Sequence, residues 1–290
     1  MKIILLGTGT PNAEPCASGP AFAVIHKGKP YLVDCGAGVV RACTSMFYRG
    51  VYELRPQNLT HVFITHLHSD HTAGFAELLL MPWVLERQEE LHVYGPAGTA
   101  DMCSHIAQAY RTDTDFRNDG PEPANHTGHK TDVHAVTEGK VFEEDGVCVY
   151  AYRVSHGQLE SYCYVFEADG KKAVFSGDTC ALEKMKEIAG DADILIHEAQ
   201  YTAALKERTP AWQAYHSSMH TMSVELADII DAAKPALTVT VHRILHLNWY
   251  GERPVPAEEI RRREDALLKE ITDRTASPCI NGHDGDMFEI

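Results

Sequence analysis

The chain has 290 residues, 44% hydrophobic and 23% charged, a globular composition that excludes a disordered, collagen-like or fibrous protein and allows one large domain or two small ones. Forty-one acidic residues against 26 basic ones give a formal net charge of −15, which argues against a nucleic-acid partner held by the overall field. Histidine stands out at 17, while the eight cysteines are scattered without a Cys-x-x-Cys pair, so neither a disulfide framework nor a structural zinc cluster is expected.

The first element is a strand over Lys2–Leu6, too short an apolar run for a signal peptide and followed at once by Gly7-Thr8-Gly9-Thr10. Short apolar runs bounded by Gly and Pro predict further strands at Ala21–Ile25 and Tyr31–Val33, and a helix follows over Val39–Tyr48. A strand over His61–Thr65 leads into a helix over Thr72–Arg87 that Pro82 is expected to kink or restart. Leu91–Tyr94 is a strand and Gly98–Tyr110 a helix. The polar stretch 111–130, rich in turn formers, reads as a loop or lid.

Val147–Val154 alternates as a strand. Ser161–Glu167 and Lys172–Ser176 form a hairpin joined at Asp169-Gly170. Strands at Ile194–His197 and Leu237–His242 alternate with helical runs, among them Thr221–Ala233. Pro256–Ile271 is a charged amphipathic helix, and Asp286–Ile290 a closing strand. Strands interleaved with helices in both halves predict an α/β fold of two sheets in a single domain over 1–290. No run of about 18 apolar residues is present, so no membrane helix is expected. The cysteines read as small core residues of a protein in a reducing cytoplasm.

The chemistry concentrates in Thr65-His66-Leu67-His68-Ser69-Asp70-His71, between a strand and a helix. Three imidazoles and a carboxylate in six residues cannot all be buried without partners, and on a strand-end loop they converge on a cation. His and Asp are donors suited to zinc, or to manganese and iron in similar geometry. Three more strands end in metal-competent residues: His156 after Val154-Ser155, Asp178 after Phe175-Ser176-Gly177, and His242 after Leu237–Val241. Each alone has a bland structural explanation, and the coincidence of all of them is what carries weight.

On these residues the sequence resembles the metallo-β-lactamase superfamily, with its His-x-His-x-Asp-His signature intact at His66–His71. Gly7–Pro11, Val33-Asp34-Cys35-Gly36, Phe175–Thr179, Ile196-His197-Glu198-Ala199 and His220-Thr221 are most similar to the ribonuclease Z and arylsulfatase-like branch. The resemblance implies an αββα sandwich of two mixed β-sheets flanked by helices, and a hydrolase with two divalent metal ions, zinc first, with manganese or iron as alternatives. His66, His68 and His156 would hold one ion, Asp70, His71 and His242 the other, and Asp178 would bridge them. Asp70, His220 and Glu198 are the catalytic candidates, with His220 an acid that Glu198 orients and His216 its weaker alternative. Asp34 is read as support beneath the metal loop.

The branch leaves several substrates open. The bacterial ribonuclease Z enzymes carry a tRNA-gripping arm where this chain has only the short stretch from His156 to Asp178, and the net charge is acidic. Both features favour a small-molecule ester (an aryl sulfate, phosphodiester or lactone) and no nucleic acid. A ribonuclease Z-type tRNA 3′ endonuclease and a non-hydrolytic metal-binding member are the alternatives. A flavin-dependent redox member would need a second cofactor domain, for which there is no room. Trp249-Tyr250-Gly251 is the best candidate for a pocket wall, with Trp83, Trp212 and Tyr201 behind it, and His126, His129 and His283 are near candidates. The resemblance also implies a homodimer.

Overall fold

The computed structural model describes residues 1–290. They gather into two compact units, each built on one mixed seven-stranded sheet with its own helices. The first unit comprises Met1–Gly7, Ser18–Thr137 and Asp284–Glu289; the second comprises Thr8–Ala17, Glu138–His283 and Ile290.

In the first unit the strands are β1 (Lys2–Gly7), β2 (Ala21–His26), β3 (Lys29–Val33), β4 (His61–Phe63), β5 (Leu91–Gly95) and β6 (Thr131–Ala135), with the C-terminal strand Met287–Glu289 beside β1. Pairing is antiparallel from the C-terminal strand to β3 and parallel from β3 to β6. Parallel neighbours need crossovers, and helices supply them. These are α1 (Val39–Tyr48), the single turn α2 (Ser69–Thr72), α3 (Phe75–Val84), α4 (Thr99–Ala109) and α5 (Arg111–Asp119). Leu32, Val62 and Val93 alternate onto one sheet face and form a buried core with Val40 and Cys43 of α1 and Leu78 and Leu79 of α3.

Two helices differ from the sequence reading. Pro82 does not restart α3, which runs through it without a break from Phe75 to Val84. A proline at this position has no N–H to give the Leu78 carbonyl. The buried Arg87 side chain supplies it, donating to Leu78 O at 3.1 Å and also to Leu59 O, Leu79 O and Gly128 O at 2.7–2.8 Å. Burial lowers the Arg87 pKa to about 10. Residues 111–119, expected as part of a loop, form α5. The segment lacks an apolar stripe, and the i,i+4 pairs Arg111–Asp115 and Asp113–Arg117 support it instead.

The second unit holds β7 (Gly139–Glu144), β8 (Val147–His156), β9 (Leu159–Ala168), β10 (Lys171–Phe175), β11 (Ile194–Gln200), β12 (Thr238–Ile244) and β13 (Cys279–Asn281). They lie in that order across the sheet, antiparallel from β7 to β10 and parallel from β10 to β13. Asp169-Gly170 closes the β9–β10 hairpin with both residues at positive φ, the conformation a two-residue hairpin turn needs. The helices are α6 (Lys184–Ile188), α7 (Thr202–Leu205), α8 (Pro210–Met219), α9 (Ser223–Ala233) and α10 (Ala257–Thr272). Val165, Val174 and Leu195 of the sheet are buried with Met185, Leu226, Ile230, Leu267 and Ile271 of these helices. Two mixed sheets flanked by helices are the α/β class expected from the sequence. No helix is long and apolar enough to cross a membrane.

Candidate metal centre

In the first unit the site begins where β4 stops. Thr65 to His68 continue beyond the strand, and His68, extended at φ −64° and ψ 148°, leads into the turn α2 that carries Asp70 and His71. Glycines let this loop lie close to its support: a Cβ on Gly36 would stand 2.6 Å from Asp70 O, and one on Gly19 2.7 Å from it.

Asp34 organises the loop. Its buried carboxylate accepts from Thr65 N at 2.7 Å through Oδ1, and from the Thr65 hydroxyl at 2.9 Å and His71 Nδ1 at 2.8 Å through Oδ2. Burial pushes the Asp34 carboxyl above its ordinary pKa, against the opposing pull of His71 and Thr65. Because a carboxylate only accepts, His71 Nδ1 carries the proton and Nε2 keeps a lone pair. Thr65 extends the chain: its hydroxyl proton goes to Asp34, so its oxygen accepts from His66 Nδ1 at 3.0 Å, which leaves His66 Nε2 basic as well. His66 Nε2 lies 3.1 Å from His68 Nδ1, and His71 Nε2 lies 3.6 Å from Asp70 Oδ2. Neutral imidazoles with one nitrogen fixed as donor and the other left as ligand are what divalent zinc-like ions require.

The second unit brings together His156, Asp178, His220 and His242. His156 ends β8, and its Nδ1 donates to Met219 O at 2.8 Å, so its Nε2 lone pair is the one 3.8 Å from Asp178 Oδ2. Asp178 follows β10 through Gly177, which sits at φ +60°. His242 lies in a bulge of β12: Val241 pairs with Glu198 and Arg243 with Ala199, leaving His242 between them at φ +44°. Its Nε2 comes 3.4 Å from Asp178 Oδ2, and its N–H donates to Thr8 O at 2.8 Å. Asp178, His220 and His242 each offer a ligand atom within 4.8 Å of the others. This donor chemistry fits divalent metal.

His220 follows the last residue of α8, extended at φ −136°, and the helix expected from Thr221 begins at Ser223. Its Nδ1 lies 3.0 Å from Glu198 Oε2 and 4.0 Å from Asp178 Oδ2. Burial pulls the His220 pKa down, but Glu198 and Asp178 together outweigh it and the net shift is upward. Burial pushes Glu198 up, opposed by His220. Glu198 also accepts from Thr179 N at 2.7 Å, which ties it to the segment that presents Asp178.

His216 takes no part in this pair; its ring packs edge-on against His246 at 4.8 Å and tilts over Trp212 at 5.6 Å. Trp249 and His283 line a cavity of about 230 Å³ together with Thr8, Arg243 and Arg261. Trp83 is a core residue whose indole donates to Asn125 O, with His129 against its ring. Sequence reasoning missed the Met219 carbonyl, the Thr65 relay and the fully buried His197, whose Nδ1 donates to Glu198 O. None has a residue-type signature, since each acts through a partner distant in the chain or through backbone.

A family model described as beta-lactamase superfamily domain matches residues 30–243. The chain belongs to the beta-lactamase superfamily. A ribonuclease Z of Mycobacterium marinum is 33% identical over 205 residues, 68% of this chain and 70% of that protein. Two solved structures share the fold. A metallo-beta-lactamase fold protein of Bacillus subtilis aligns with TM-score 0.73 at 15% identity, covering 99% of this chain and 98% of its own. Human tRNase Z, short form, aligns with TM-score 0.67 at 20% identity, covering 100% and 99%. This superfamily member is a metal-dependent hydrolase.

These relatives overturn the expected partner. The small-molecule ester without nucleic acid rested on net charge and on the missing arm, yet the relatives are named for action on RNA. Net charge is an average over the whole surface and does not report the field at a cleft. The arm is indeed missing, for β8 passes to β9 directly through Gly157-Gln158. Its absence removes one way of gripping RNA without removing the chemistry.

Proposed function

We propose that this protein is a ribonuclease Z-type endonuclease that hydrolyses a phosphodiester near the 3′ end of tRNA precursors. The observation that carries the reading is the ribonuclease Z relative, which spans 70% of its own length against this chain. The retained ligand residues support it.

In this reading both units act as one hydrolase domain in the cytoplasm, and eight unpaired cysteines accord with a reducing compartment. His66, His68 and His156 would hold one divalent ion, zinc first, and Asp70, His71 and His242 a second, with Asp178 a further carboxylate donor. When bound, the ions supply Lewis-acid polarisation of the phosphate and activation of the attacking water. Asp34 and Met219 O keep the ligand nitrogens in their basic tautomer. His220, protonated through its contact with Glu198, donates from Nε2 to the departing oxygen. Glu198 holds the imidazolium in place and stabilises its charge.

The test is cleavage of a tRNA precursor with a 3′ trailer by zinc-loaded protein, alongside bis-aryl phosphate and aryl sulfate. Release of the trailer at one position is expected. Turnover of the aryl sulfate with the precursor left intact would overturn the reading.

A further inference from the structure

A second cluster of metal-competent side chains lies on the first unit's sheet and has no part in the reaction above. His92 on β5 pairs in register with Asp132 on β6, and Tyr94 with His134. Asp132 and His134, two residues apart on one strand, point to the same face as His92. His92 Nδ1 lies 3.1 Å from Asp132 Oδ2, and His134 Nε2 lies 3.0 Å from the same oxygen. All three ligand atoms are within 4.8 Å of one another.

Two imidazole nitrogens therefore converge on one carboxylate oxygen. His92 makes a hydrogen bond to it. His134 Nε2 does not: it is shielded from solvent, and despite its 3.0 Å approach it has no hydrogen-bond partner. Each imidazole has an N–H of its own to give the carboxylate, yet only His92 is aligned to donate it, whereas a cation beside Asp132 accepts a lone pair from both rings. Zinc bonds of about 2.0–2.2 Å at tetrahedral angles separate neighbouring ligand atoms by about 3.4 Å, so the two contacts with Asp132 need to open by only a few tenths of an ångström.

The rings are also held before any ion arrives. His92 stacks on His61 at 4.8 Å, and His134 on Tyr94 at 4.4 Å. Strands carry all three ligands, which limits the entropy lost on binding. Although His134 Nε2 itself is covered, the three side chains are 32–46% exposed overall, Asp132 the most, so a water arriving on the Asp132 side can complete the coordination. We propose that His92, Asp132 and His134 form a separate site for a borderline divalent transition ion, Zn2+ above all, which ties the edge strand β6 to β5. Two imidazoles and one carboxylate favour zinc, nickel or copper over magnesium or calcium, which prefer all-oxygen sites.

The experiment is equilibrium dialysis of the full chain against Zn2+, comparing the wild type with His92→Gln/His134→Gln and with Asp132→Asn. The wild type is expected to hold one more Zn2+ per chain than the double variant. Asp132→Asn, which keeps the shape and loses the charge, is expected to weaken that one ion at least tenfold. Both variants should retain wild-type circular dichroism and wild-type hydrolysis of a bis-aryl phosphate, since none of the three residues serves the reaction. Equal zinc content and affinity in all three proteins would overturn the proposal, as would an extra ion that both variants retain.

Discussion

Asp34→Asn tests the claim that a residue outside the proposed ligand set fixes the ligand atoms of two residues within it, His66 and His71. Asparagine tolerates the left-handed backbone at φ +59°, so the fold around position 34 should persist. Thr65 N can only donate, and at 2.7 Å it forces the amide oxygen into the Oδ1 position. The amide nitrogen then occupies the Oδ2 position, 2.8 Å from His71 Nδ1. Two donors cannot face each other, so Nδ1 must give up its proton and accept, and the proton moves to Nε2, where it blocks coordination. The lost charge-assisted hydrogen bond is worth about 1.5–3 kcal/mol. Partners of this kind typically change metal affinity by about 10–100-fold, which is about 1.4–2.7 kcal/mol and agrees with that figure. Competition with a chromophoric chelator for Zn2+ measures the affinity, and imidazole 15N shifts report the tautomer of His71. Zinc affinity within twofold of wild type, with His71 still protonated at Nδ1, would refute the reasoning.

Asp178→Ala removes the carboxylate that lies 3.4 Å from His242 and 3.8 Å from His156, and is expected to lose both bound metal and activity in elemental analysis and trailer cleavage. His220→Ala is expected to keep its metal but lower kcat by about 100-fold or more, as the loss of a general acid does. Wild-type activity should fall as pH rises through the raised His220 pKa, and the variant's profile should lack that basic limb. Arg87→Met leaves four carbonyls without their donor and is expected to cost about 3 kcal/mol or more in urea unfolding. A change under about 1 kcal/mol would contradict that account. His197 is held neutral by burial, its pKa lowered to about 4 from 6.5. The unfolded chain therefore binds the extra proton first, and stability falls as pH drops below 6.5. Between pH 7.5 and 5 the loss from this group is about 2 kcal/mol, and His197→Gln should lack it when unfolding free energies are compared.

Much of the fold is legible because local chemistry and tertiary packing agree. The Asp169-Gly170 hairpin is visible from a two-residue turn between alternating strands, and β8 from its alternation of buried and half-buried residues. α5 is hidden for the opposite reason: Arg111–Asp119 has the polarity of a loop, and the i,i+4 charge spacing that stabilises its helix also occurs in charged stretches that form no helix. The passage of α3 through Pro82 is equally invisible, because the missing donor comes from the Arg87 side chain, which folds back onto Leu78.

At the site, His66–His71 is legible from spacing alone, since its members are neighbours in the chain. His156, Asp178 and His242 are recognisable as types at strand ends, but their aim is not. That aim depends on backbone in the left-handed region: Gly157 and Gly177 at φ +60° beside the first two, and His242 itself at φ +44°. In a regular ladder His242 would share the face of Thr240 and Thr238. The extra residue between the Val241–Glu198 and Arg243–Ala199 pairs frees it from that alternation and lets its ring reach Asp178. A non-glycine residue in this conformation costs about 1–3 kcal/mol. The hydrogen bond to Thr8 O and the contact with Asp178 offset that cost, and neither partner is near His242 in the sequence. Residue type thus announces that a metal-competent side chain stands at the end of β12, while the direction it faces is set by a bulge whose stabilising contacts exist only once the second unit has folded.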